Sequence, residues 1–244
     1  MTDQHTALVE DPQDESQDWL AQLESASQKN QLRQISQLIS KGKPGIAVLM
    51  EFLQSRQGQD PNLVIGKIYQ TLYQLDNPET QEFLQTHFPT GIVPLQSSQN
   101  IDYLPLQELL VKQDFQAADR LTLVKMCELA SSQAVERGWL YFTEVEKFPL
   151  TDLQTIDRLW LMHSEGKFGF SVQRSIWLSV GKNFAKLWPK IGWKTSNKWT
   201  RYPEEFIWDL SAPMGHLPLS NQLRGVRVIN SLLSHIAWSP PANK

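Results

Sequence analysis

Apolar positions recur at three- and four-residue spacing along most of this chain, and period-two alternation is weak throughout. That pattern predicts helices rather than strands. In residues 19–40, Leu20, Leu23, Leu32, Ile35, Leu38 and Ile39 keep helical spacing. The next apolar run opens with Pro44, which suits a first turn because that turn has no use for the missing N–H. Asp60 with Pro61, and Asn77 with Pro78, repeat a cap-then-proline device before further runs. About five short helices result, which would pack as an antiparallel bundle or as stacked helical hairpins. No fixed period is strong enough to specify a solenoid.

The pattern breaks at "FPTGIVPLQSSQNID" (88–102), where Pro89, Gly91, Pro94 and two serines read as an interdomain linker. Helical spacing resumes at 114–130, with Asp114 as N-cap, and at 149–166. In the latter, Thr151 and Gln154 have capping-box spacing and Gly166 is placed to end the helix. Its buried face would be Leu153, Ile156, Leu159, Trp160 and His163. Two shorter helices end at Gly181 and at Pro189 and Gly192. An irregular stretch, 193–219, carries Pro203, Pro213, Gly215 and Pro218, and a last helix is expected over 220–238. The reading is all-α. A disordered acidic tail at 1–17 leads to a helical bundle at 18–88. A linker at 89–100 is followed by a loop-rich helical domain at 101–238 and a tail at 239–244.

Charge changes this picture in one place. The net charge is −3. Residues 1–100 hold 6 Lys and Arg against 12 Asp and Glu, whereas residues 166–202 hold eight cations and no acid. A basic segment inside an acidic protein points to a site, not to general stickiness. The acidic N-terminus has neither signal-peptide nor transit-peptide character, and no apolar run is long enough to span a membrane. Cys127 is the single cysteine and sits in a helical apolar pattern, as a buried inert thiol would.

Catalytic signatures are missing. The five histidines show no ligand spacing, and His163 falls on an apolar face, where a hydrogen-bonded core role fits. "GKFGF" (166–170) lacks the Lys-Ser/Thr of a phosphate loop and reads as a turn between helices. Glu144, Glu146, Asp152 and Asp157 read as caps and solvated faces. No catalytic residue, protein metal site or tightly bound catalytic cofactor is expected.

The basic segment is also the aromatic one. "WPKIGWKTSNKWTRYPEEFIWDL" (188–210) holds Trp188, Trp193, Trp199 and Trp208, with Lys190, Lys194, Lys198 and Arg201 among them. On the last helix, Leu223, Val226, Ile229, Leu232, Leu233 and Ile236 form one stripe. Asn221, Arg224 and Arg227 lie together opposite, with Val228 beside them. Aligned Arg side chains are donors for carboxylates or phosphates. Three ligand classes fit the residues: single-stranded nucleic acid stacked on the aromatics, a sugar polymer, or a flat apolar ring with pendant carboxylates such as a porphyrin. Some tryptophans are expected in the core, namely Trp160, Trp177 and Trp208.

The segments "WLYFTEVEKFPLTDLQTIDRLW", "HSEGKFGFSVQ", "KLWPKIGW", "WDLSAPMGHLP" and "NQLRGVRV" resemble the Genomes Uncoupled Four family, densely over 101–238. The resemblance implies a non-enzymatic protein of cyanobacterial type that binds protoporphyrin IX and Mg-protoporphyrin IX. It implies stimulation of magnesium chelatase in chlorophyll synthesis, through that enzyme's porphyrin-binding large subunit. It implies a greasy hollow with the 193–219 loop on one side and residues around Phe142 and Val145 on the other. Arg224 and Arg227 would hold the propionates and Asn221 would approach the magnesium. Trp199, Tyr202, Phe206 and Val228 would line the hollow. A cytoplasmic monomer, at most peripheral to membranes and without a nucleic-acid partner, is the corresponding expectation.

Overall fold

The structure, a computed structural model, describes residues 12–75, 77–196, 198–219 and 225–239. Thirteen α-helices and one two-stranded hairpin occur among the described residues, so the chain is all-α. It divides into two compact units, Met1–Pro89 and Thr90–Lys244.

The first unit holds α1 (Pro12–Ser25), α2 (Gln28–Ser40), α3 (Lys43–Gln54), α4 (Leu63–Gln74) and α5 (Pro78–His87). The 19–40 pattern is thus two helices, broken at Ala26 and Ser27. The expected Asp60 cap moves two residues on. Asn62 accepts from the N–H groups of Val64 (2.9 Å) and Ile65 (3.1 Å), and no helix follows Pro61 directly. Asn77 caps α5 through the Thr80 N–H at 2.8 Å. Leu23, Leu49, Leu53, Ile68 and Leu72 are fully buried and form the core of this unit. Helix α3 meets the end of α2 at Gly45, where any Cβ would lie within 2 Å of the Leu38 carbonyl oxygen, so only hydrogen fits there.

The second unit is built around α10 (Leu150–His163). Leu153, Ile156, Leu159 and Trp160 on this helix are fully buried. The Trp160 indole donates to Thr122 Oγ1 (3.0 Å) on α7 (Phe115–Ala130) and its ring stacks on Phe115. Helix α10 has Pro149 at its N-cap, without the expected capping box. Gln154 instead reaches the Ala237 carbonyl at 3.0 Å. Gly166, at φ +75°, closes the helix through the Leu161 carbonyl.

The stretch read as a linker is, from Thr90 on, stitched to this unit. Thr155 donates to the Gln96 carbonyl (2.8 Å), and Ile92 and Val93 are buried. Asp152, fully buried, accepts from the Ser97 hydroxyl, the Ser98 N–H (2.9 Å) and the Tyr103 hydroxyl (2.9 Å). The remaining elements are α6 (Leu104–Val111), α8 (Ser132–Arg137), α9 (Phe142–Val145), α11 (Phe170–Ser179), α12 (Phe184–Lys190), β1 (Lys194–Thr195), β2 (Lys198–Trp199) and α13 (Val226–Ser234). The strands pair antiparallel, Lys194 opposite Trp199, inside the segment expected to be irregular throughout.

The last helix departs most from expectation. Helix α13 begins at Val226, because Gly225 has a φ of +85°, a conformation that costs glycine little and breaks any helix running through it. It ends at Ser234, before a 3-10 turn at Ile236–Trp238. Val226 and Ile236, both expected on the buried stripe, are 45% and 67% exposed, while Val228, placed on the arginine face, is buried. Asn221, Leu223 and Arg224 lie outside the described residues.

Candidate functional site

Four expected site residues meet where α9 packs against the start of α13. The Arg227 guanidinium lies 5.5 Å from the centre of the Phe142 ring, within cation–π reach. Arg227 itself is exposed, whereas Val145 and Val228 are buried beneath. Short as it is, α9 is held firmly. Glu144 accepts from the Tyr141 N–H (2.7 Å) and pairs with Arg137 (2.7 Å). Arg137 in turn lies over the rings of Trp139 and Tyr141. At its other end, His235 holds Glu146 through a hydrogen bond to its backbone, while its Nδ1 accepts the Ala237 N–H at 3.1 Å. Of the carboxylates read as caps and solvated faces, Glu144 and Asp157 cap, while Asp152 and Asp157 are buried rather than solvated. Glu144 serves α9, and Asp157 accepts the Ser171 N–H (2.8 Å) at the start of α11.

The loop residues fall into two groups. Trp199 on β2 is 46% exposed, tilted against Trp188, with Lys194 Nζ 5.5 Å from its ring. Tyr202 is 39% exposed and meets Trp208 edge-on. Phe206 is a core residue, packed in a cluster with Trp177, Trp188, Trp193, Ile229 and Leu233. Through that cluster the loop and α13 share one floor. A column of stacked rings runs Trp177–Phe184–Trp188–Trp193, with neighbouring centroids 5.2 to 5.6 Å apart. It comes from α11, α12 and the first loop residue. Trp160 and Trp177 are buried as expected, and Trp208, half-buried, ties the loop to itself through the Pro203 carbonyl. The faces available to stack nucleic-acid bases are few, since Trp188, Trp193 and Phe206 are buried.

Sequence reasoning missed the residue that organises the loop. His216 is 1% exposed. Its Nδ1 donates to the Ile191 carbonyl (2.7 Å) and its Nε2 accepts the Ile207 N–H (3.2 Å). Its own carbonyl accepts the Trp193 indole (2.7 Å). These partners require the neutral ring with hydrogen on Nδ1, and burial pushes its pKa below the ordinary 6.5. Gln173, fully buried, braces the same loop by donating to the carbonyls of Gly215 (3.0 Å) and Pro218 (2.8 Å). A lone histidine in a Pro/Gly-rich stretch was the available signal. The partners of His216 lie up to 25 residues away in the chain, and Gln173 reaches 45 residues to Pro218, so neither leaves a local mark.

His163 is buried and its pKa falls to about 3, so it is neutral across ordinary pH. Cys127 is buried and its thiol rises to about 11, which keeps it protonated and inert. Among the described residues no group of three His, Cys, Asp or Glu side chains is placed to hold a metal ion. None of the described helices is long and apolar enough to cross a membrane.

A family model described as GUN4-like matches residues 96–236. The chain belongs to the GUN4 family. A second model, an ARM-like repeat domain at the GUN4 N-terminus, matches residues 7–89. It gives the first unit of this GUN4-family chain a repeat character that its spacing did not reveal. A Ycf53-like protein of Synechocystis is 57% identical over 219 residues, covering 89% of this chain and 94% of that protein. The chloroplastic tetrapyrrole-binding protein of Arabidopsis thaliana is 41% identical over 143 residues, covering 55% of this chain and 54% of that protein. The solved structure of GUN4 from Chlamydomonas reinhardtii superposes with a TM-score of 0.56 at 40% identity, over 60% of this chain and 95% of that one.

Proposed function

We propose that this chain binds a tetrapyrrole between α9, the start of α13 and the 193–219 loop. The observation that carries the reading is Arg227 over Phe142, with Val145 and Val228 packed behind. A cation at the rim of an apolar wall suits a flat ring bearing carboxylates. Trp199 and Tyr202, the exposed rings of the loop, supply the facing surface. Support also comes from the name of the Arabidopsis relative. The ligands are protoporphyrin IX and Mg-protoporphyrin IX. The chain carries them in a non-enzymatic role, as a cytoplasmic monomer at most peripheral to membranes. It stimulates magnesium chelatase by docking on that enzyme's porphyrin-binding large subunit. Asn221 and Arg224 belong to the same proposed site.

Titration with either porphyrin is expected to shift the porphyrin absorption band and quench tryptophan emission. Absence of both changes sinks the reading. Arg227→Ala removes an exposed charge and leaves the buried face of α13 intact. It is expected to weaken porphyrin binding about ten-fold, the equivalent of about 1.4 kcal/mol, with an unchanged helical circular dichroism spectrum. Wild-type affinity in this variant removes Arg227 from the site. The chelatase role is checked separately, by magnesium insertion rates with and without the protein.

A further inference from the structure

Asp119 lies inside α7 and is only 5% exposed, although it is an acid. Its Oδ1 accepts the main-chain N–H of Leu219 at 2.7 Å, across 100 residues of sequence. Leu219 is the last described residue of the loop before the chain runs on toward Gly225 and α13. Burial first, and then the charge of the same carboxylate, raise the pKa of the Tyr202 hydroxyl in this loop. Buried carboxylates of this kind are normally paired with a cation or accept several donors. Asp157, the comparable acid on α10, does the second by accepting at both Phe170 and Ser171. Among the described residues Asp119 accepts from the loop, at the Leu219 N–H.

We propose that Asp119 is a positioning residue of the tetrapyrrole site: it clasps the end of the 193–219 loop at Leu219 and loosens when it takes up a proton. The assignment rests on the ligand reading given above for its consequence, but the clasp itself does not. The groups that act on Asp119 are Arg120 on its own helix and Tyr202 from the loop. Burial raises its pKa from 3.8 to about 7, against the opposing pull of the Leu219 N–H and of Arg120. The clasp is therefore ionised, and strongest, above about pH 7. An ionised acceptor makes roughly twice as strong a hydrogen bond as a neutral one, and that difference is lost as pH falls below 7.

Two measurements on the full chain test this. The first is amide hydrogen exchange at Leu219 without ligand, corrected for intrinsic rate, at pH 6 and pH 8. Wild-type protection is expected to be about three- to ten-fold higher at pH 8. Asp119→Asn, which keeps the shape and an acceptor oxygen but cannot ionise, is expected to show no such difference. The second is protoporphyrin affinity over the same range, read as the ratio of wild type to Asp119→Asn so that titration of the porphyrin cancels. That ratio is expected to rise with pH through 7. Equal pH profiles of Leu219 protection in the two proteins overturn the clasp. A flat affinity ratio with the exchange difference intact overturns its role in the site. Failure of both proteins to bind porphyrin at all overturns the ligand reading instead, and with it the role of Asp119 in binding.

Discussion

Replacing His216 with alanine is expected to lower the stability of the second unit by about 3 kcal/mol and to unpin the 193–219 loop. Two main-chain groups, the buried Ile191 carbonyl and the part-buried Ile207 N–H, lose their partners. Each such loss costs about 1–3 kcal/mol. The ring also fills space against Phe206, 5.0 Å between centroids, so a cavity adds to the cost. Guanidinium unfolding followed by tryptophan fluorescence reads this unit, since eight of the nine tryptophans lie at or beyond residue 139. A wild-type midpoint together with an unaltered near-ultraviolet spectrum would overturn the role given to His216. His216→Gln keeps one donor and one acceptor and is expected to recover part of the loss.

The same residue has a pH signature with a definite sign. Its folded pKa is depressed, so the unfolded chain binds a proton first as pH falls below 6.5. Its contribution is present above pH 6.5 and fades as pH falls toward the folded value. A proton on Nε2 would face the Ile207 N–H, donor against donor. His163, with a folded pKa of about 3, acts in the same direction. In global unfolding, which returns both carboxylates to water, Asp119 and Asp157, raised to about 7 and about 6, act oppositely and lose stability as pH rises through those values, whereas the Leu219 clasp, with Asp119 still buried, strengthens on ionisation. The His216 contribution is therefore read as the difference between wild type and His216→Gln, which is expected to shrink from pH 7.5 to pH 5.

The second large effect is expected from Asp152→Ala, about 4 kcal/mol. This carboxylate is fully buried and receives three donors, from Ser97, Ser98 and Tyr103. Removing it strands all three, two of them on the segment that joins the second unit at its N-terminal edge, at about 1–3 kcal/mol each before relaxation. The expected result is a lower guanidinium midpoint and faster proteolysis within residues 90–103. Asp152→Asn, which still accepts but brings two donors of its own, is expected to be intermediate. An unfolding free energy within about 0.5 kcal/mol of wild type for the alanine variant would show that the three donors find other partners.

What could be read in advance follows the range of the interactions involved. The caps at Asn77 and Asp114 reach only three residues, to Thr80 and Ala117, and they were legible. The Asp60 reading slipped because proline after an acid is a good start signal, yet Asn62 captures two N–H groups that Asp60 does not. The stripe on the last helix was correct at Ile229, Leu232 and Leu233 and failed at Val226 and Ile236. Periodicity assumes one unbroken helix, and Gly225 and the turn after Ser234 end it on both sides. The aromatic–cationic loop was singled out by composition. Which of its rings are exposed was not, because Phe206 and Trp193 are as aromatic as Trp199 but face the core.

By itself, the sequence determined the all-α class, the helical run before residue 89, the polarity of charge, and the stretch where ligand chemistry concentrates. Each depends on side-chain spacing or composition, which a helix of 3.6 residues per turn converts directly into faces. Only the tertiary structure decided that Arg227 stands over Phe142, that His216 pins the loop, and that Asp119 meets Leu219 across 100 residues. Those contacts join segments with no local relation. They exist because burying α13 and the loop on one apolar floor leaves particular polar groups facing each other, and a buried polar group must find a partner.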